Sequence, residues 1–214
     1  SSHLVSVNSQ PNTCAVVVET HMEPMIPSDE DVSLEEEEQA CTILRETSAY
    51  GGATSGGADA DRSLLVASLA TVFTQLAKLG ACREGKMTPF HCVRAPAIDI
   101  HTYLQRIAKY FQCSAQCLVL GLVYIDRVAK LHPDFKVCEL NVHRLLATSI
   151  MVAAKFWDDM YYYNSHYAKV AGLKTAEMCA LERRFLQMVH WKLQVIPAEY
   201  RLYRSHILTA SGCH

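Results

Sequence analysis

The stretch VHRLLATSIMVAAKFW, residues 142–157, runs from Leu145 to Ala154 without a charge. A surface helix confines its apolar residues to one stripe, whereas a helix apolar on nearly all sides is an interior helix. A second stretch of this character, CLVLGLVYIDRVAKLH at residues 117–132, is uncharged until Asp126 and Arg127. Two interior helices need other helices around them. This predicts a bundle wrapped round a central pair rather than a plain up-down bundle.

The flanking sequence supplies those helices. Residues 97–111, AIDIHTYLQRIAKYF, space Ile98, Ile100, Leu104, Ile107 and Phe111 for one helical face. Ser114 is a cap candidate before the 117–132 stretch, and Pro133 ends it. Asn141 is a cap candidate for the 142–157 helix, Asn164 for a short helix closed by Gly172, and Thr175 for residues 176–191. Pro197 sits at the first turn of a last helix over 198–208. Upstream, DRSLLVASLATVFTQLAKLG at residues 61–80 has an apolar stripe from Leu64 to Leu79, with Asp61 or Ser63 to start it and Gly80 to stop it. No Asn-Gly or Asp-Gly hairpin turn occurs. The chain is expected to be all-α.

Residues 1–60 differ in kind. They mix an acidic block, Glu35 to Glu38, with Pro, Ser and the Gly/Ala-rich run AYGGATSGGADAD. Such composition buries too little surface to offset ordering entropy, so this segment is expected to be largely disordered, with a short helix allowed near 34–46. The expected organisation is therefore three parts: residues 1–60, a flanking amphipathic helix and loop over 61–95, and a helical core with a C-terminal helix over 96–210.

The formal charge of −2 gives no electrostatic footprint for nucleic acid or an anionic membrane. No stretch approaches the roughly 18 apolar residues of a membrane helix. Nine cysteines occur without a CxxC pair or zinc spacing, which reads as free thiols in a reducing compartment, nuclear or cytoplasmic. No P-loop, GxGxxG, HExxH or GxSxG motif is present, and no metal-ligating set stands out. The expectation is a chain without cofactor, metal or catalysis of its own.

A few charges sit where their neighbours are apolar. Stepping 100° per residue from Met178, Glu182 falls at about 40°, inside an arc holding Leu181, Phe185, Leu186, Val189 and Leu193. A carboxylate there costs several kcal/mol if unpaired. Lys155 is the matching cation at the end of its apolar run. The two could pair with each other, snorkel to solvent, or bind another protein. Asp126 and Arg106 could form an internal ion pair. Tyr161, Tyr162, Tyr163 and Tyr167 cluster in MYYYNSHYAKV and read as packing and loop anchors rather than a nucleotide platform.

The pieces YIDR, AAKF, YYYN, YAKVAGL and LERRFL follow one another in an order and spacing that closely resembles the cyclin box, over about residues 96–205. More narrowly, the chain resembles the P/U-type cyclins, the phosphate-pathway cyclins of fungi and their plant and protist relatives. The resemblance implies a single five-helix cyclin fold with an added N-terminal helix and a C-terminal flanking helix. It also implies a non-catalytic subunit that binds and activates a cyclin-dependent protein kinase by positioning its C-helix, in cell-cycle control or nutrient signalling. Lys155 and Glu182 match the residues that grip the kinase C-helix and the loop before it. Phe156 and Leu186 would line that face, with Trp191 at a further aromatic position. Arg106 and Asp126 match an ion pair tying the first box helix to the second. YLQRI stands where many cell-cycle cyclins carry a substrate-docking MRAIL patch, which puts such docking in doubt. The competing reading is a cyclin-fold adaptor in transcription; that would want a basic face and usually a second repeat.

Overall fold

The computed structural model describes residues 55–80 and 87–210. The expectations for residues 1–54 lie outside the described residues. Every regular element described is a helix: α1 (Ser55–Leu79), α2 (Ile100–Tyr110), α3 (Ala115–Leu131), α4 (Val142–Trp157), α5 (Asn164–Ala171), α6 (Thr175–Met188) and α7 (Pro197–Ala210). Five helices, α2 to α6, form the central bundle, with α1 and α7 flanking it, as the sequence predicts. α1 starts at Ser55, earlier than the Asp61 or Ser63 start the sequence offers, inside the Gly/Ala-rich run.

The two apolar stretches are the centre. Every residue of α3 from Cys117 to Ile125 is buried, as is every residue of α4 from Leu145 to Ala154. These helices pack most extensively on each other. Around them, α1 covers α2, α3 and α7, while α4 also meets α2, α5 and α6. Gly121 marks the α3–α4 crossing: a Cβ there would stand 2.8 Å from Ile150 Cγ1 and 3.2 Å from Ser149 Oγ. The buried hydroxyls inside α4 are satisfied locally, Thr148 donating to the Arg144 carbonyl at 2.7 Å and Ser149 to that of Leu146 at 3.2 Å.

Helix ends explain the turns. Gly172 closes α5 at φ 74, and the Leu173 amide reaches back to the Ala168 carbonyl at 2.9 Å. This is the left-handed cap that glycine adopts without steric cost. The end of α6 is less ordinary: His190 and Trp191 hold φ values of 52 and 61 without being glycine. The Trp191 amide donates to the Leu186 carbonyl at 3.0 Å, which satisfies the helix end at some backbone strain. Asn141 and Ser114 occupy the cap positions expected of them, but neither side chain makes the capping bond. Asn141 instead ties the loop before it, accepting from the Cys138 amide at 2.8 Å and donating to the Lys136 carbonyl at 2.8 Å.

Among the described residues Cys92, Cys113, Cys117 and Cys179 are free thiols.

His143 couples this core to pH. Its Nε2 donates to the Ile98 carbonyl at 2.9 Å, its ring meets Tyr103 edge-on, and its buried Nδ1 has no partner among the described residues. Burial lowers its pKa, against smaller opposing effects of the Ile98 carbonyl and Asp99. The folded state therefore favours the neutral ring. Its contribution is full above the unfolded value of 6.5 and declines as pH falls through that value toward the lower folded one. Urea unfolding is expected at lower midpoint near pH 5.5 than near pH 7.5, with a smaller difference in His143→Gln. An equal pH response in the variant would place the linkage elsewhere.

Candidate partner-binding site

The charges that looked misplaced converge. Lys155 stands in the last turn of α4 because the uncharged run ends there. Glu182 projects from the apolar side of α6. The α4–α6 packing brings Lys155 Nζ to 2.5 Å from Glu182 Oε1. The two side chains keep 28% and 18% of their exposure, so the pair sits at the rim of the core, mostly covered but reachable from solvent. A third residue joins them: Asn164 Oδ1 accepts from Lys155 at 3.0 Å, and Asn164 Nδ2 donates to Glu182 Oε2 at 2.7 Å. Of the alternatives left by the sequence, mutual pairing is what the free chain adopts. Arg183 and Arg184 are exposed on the other side of α6, as the angular reading requires.

The apolar candidates separate. Phe156 is half-exposed and packs edge-on against Trp157, with ring centres 5.3 Å apart. Leu186 lies one turn beyond Glu182 and packs partly on the core. Trp191 is exposed past the end of α6, and no ring contact joins it to Phe156 among the described residues. An open hollow of about 540 Å³ adjoins the pair, lined by Lys155, Tyr161, Tyr162, Tyr163, Asn164, Ser165 and Thr175.

The tyrosines divide between the roles considered. Tyr167 is buried, its hydroxyl accepts from the Tyr162 amide at 3.1 Å, and burial pushes its pKa up to about 12. Tyr162 anchors the loop by stacking on His166 at 4.3 Å and bonding Gln112. Tyr161 and Tyr163 are exposed and serve neither purpose. Asp158 is a structural acid, accepting from the Ser114 amide at 2.9 Å and so holding the start of α3.

The expected Arg106–Asp126 ion pair does not form. Because α2 packs on α1, α4 and α5, Arg106 turns to the C-terminal end of α5 and donates to the Lys169 carbonyl at 3.5 Å. Helix ends of that polarity attract cations. Asp126 faces α7, bonded to the Tyr203 hydroxyl, and pairs with Lys130 on its own helix at 2.7 Å. The neighbouring Arg127 instead bridges to Glu199 at 2.8 Å and to the Lys192 carbonyl at 2.8 Å.

Sequence reasoning missed the role of Asn164, taking it for the cap of α5. It is the first residue of that helix, and Tyr163 stands at the cap without a side-chain bond. The signal available was its place one helix after a lone cation. Among the described residues no group of three His, Cys, Asp or Glu is placed to hold a metal, and no helix is long and apolar enough to cross a membrane.

The sequence profile of the cyclin family matches residues 31–193. The chain belongs to the cyclin family. The seven helices among the described residues, one before and one after a five-helix box, are the cyclin arrangement. This cyclin is 41% identical to Cyclin-U4-1 of Arabidopsis thaliana over 151 residues, covering 68% of the chain and 75% of that relative. It is 46% identical to Cyclin-U1-1 of the same plant over 117 residues, 55% of the chain and 54% of the relative. Cyclin-P3-1 of Oryza sativa subsp. japonica is 45% identical over 108 residues, 50% of the chain and 45% of the relative. It thus aligns with U- and P-type cyclins, spanning about half the length of the latter two relatives.

Proposed function

We propose that this cyclin binds a cyclin-dependent protein kinase and activates it, catalysing nothing itself. The observation that carries the reading is the partly exposed Lys155–Glu182 pair. It lies on a rim shared by α4 and α6, beside half-exposed Phe156 and partly buried Leu186. Lys155 retains an N–H for a partner's backbone carbonyl, and Glu182 retains lone pairs for its amides. Charge-assisted bonds of that kind are worth about 1.5–3 kcal/mol each. The apolar residues around them supply the centre of an interface that buries at least roughly 1,000 Å².

Activation is a population shift. A kinase of this class alone holds its C-helix away from the active site. Docking on α4 and α6 favours the inward position, which completes the Lys–Glu ion pair that phosphoryl transfer needs. The proposed partner is a cyclin-dependent kinase, met in the nucleus or cytoplasm, and the proposed process is cell-cycle control or nutrient signalling. The test is a phosphorylation assay on each purified cyclin-dependent kinase of the source organism, alone and with the full chain. At least one is expected to gain activity in proportion to added chain. No gain with any of them would favour the adaptor reading instead.

A further inference from the structure

We propose that Asn164 is a positioning residue that holds Lys155 and Glu182 in the geometry that grips the kinase; this rests on the function proposed above. Asparagine is among the best helix caps, yet here it stands one residue inside α5 and leaves the cap position without a side-chain bond. Its amide is fully engaged elsewhere. Oδ1 accepts from Lys155 at 3.0 Å, while Nδ2 donates to Glu182 Oε2 at 2.7 Å and to Cys179 Sγ at 3.2 Å. The chemistry fixes the orientation of that amide. Turned over, it would aim an N–H at an ammonium and an oxygen at a carboxylate.

Three elements are thereby pinned at one point: the end of α4, the start of α5 and the middle of α6. A lysine held by Glu182 alone would swing on a flexible four-carbon stem. Held by both residues, its ammonium has two of three donors used and one left. Glu182 likewise has each oxygen bonded once, with capacity to spare. The pair is set before the partner arrives, and ordering it then costs less on binding. Asn164 also lines the open hollow, so the brace lies next to the face where the kinase docks.

The test uses the full chain and the purified cyclin-dependent kinase it activates. Asn164→Ala is expected to bind about tenfold more weakly, with the helical signal retained. Asn164→Asp separates positioning from packing. It sets a second carboxylate against Glu182, and a shared proton restores the lost donor, so its binding should strengthen as pH falls from about 7 to about 5.5. The parent should show no such gain. Equal binding by Asn164→Ala and the parent overturns the inference. If the parent binds no kinase, the proposed function fails, and the role of Asn164 is decided in the free chain. There, a double-mutant cycle in urea measures the Lys155–Glu182 coupling with and without Asn164. Coupling that shrinks in Asn164→Ala supports the brace, and unchanged coupling overturns it.

Discussion

Replacing Lys155 and Glu182 together by alanine is expected to weaken kinase binding at least about hundredfold while leaving helical content intact. Two charge-assisted bonds to a partner's backbone account for that loss, at about 1.5–3 kcal/mol each. Stability should change far less. The pair is only partly exposed, but removing both charges together leaves neither stranded without its partner. The single variant Glu182→Ala should be harsher on the fold than its size suggests, because it leaves an ammonium at the core rim with only Asn164 for company. Binding by isothermal calorimetry and far-ultraviolet circular dichroism on the same samples separate the two effects. A double variant that binds like the parent would remove these residues from the interface.

Gly121→Leu should destabilise the chain by about 3 kcal/mol, lowering Tm by roughly 6–12 °C. Even the first added carbon meets Ile150 Cγ1 at 2.8 Å, and the rest of the side chain has to enter the α3–α4 crossing. Helix propensity pulls the other way, since glycine is the poorer helix former by about 1 kcal/mol, but the steric cost outweighs it. Thermal unfolding followed at 222 nm tests this. An unchanged Tm would mean that the central helices do not approach as closely as their apolar surfaces require.

Much of the fold was legible because burial is written into composition. Two stretches without charge could only be interior helices, and both are. Gly172 and Pro197 ended and began helices where their backbone preferences dictate. The start of α1 was not legible, because a Gly/Ala-rich run has no apolar period to reveal it. Half of the site was legible for the same reason as the core: Glu182 in an apolar arc demanded a partner, and Lys155 was the nearest candidate. Asn164 was hidden because its side chain obeys a tertiary contact, whereas its residue type advertises a local one. The Arg106–Asp126 pair failed on geometry. Sequence position does not say which helix a side chain faces, and α2 turns Arg106 toward α5 while Asp126 turns toward α7.

The central claim is that the α4–α6 rim is the kinase-docking face. Hydrogen–deuterium exchange of the full chain, with and without the kinase it activates, tests this most directly. Slower exchange is expected in residues 153–165 and 179–191, with α1 and α7 unchanged. Protection confined to α1 or α7, with the rim exchanging as in the free chain, would contradict it.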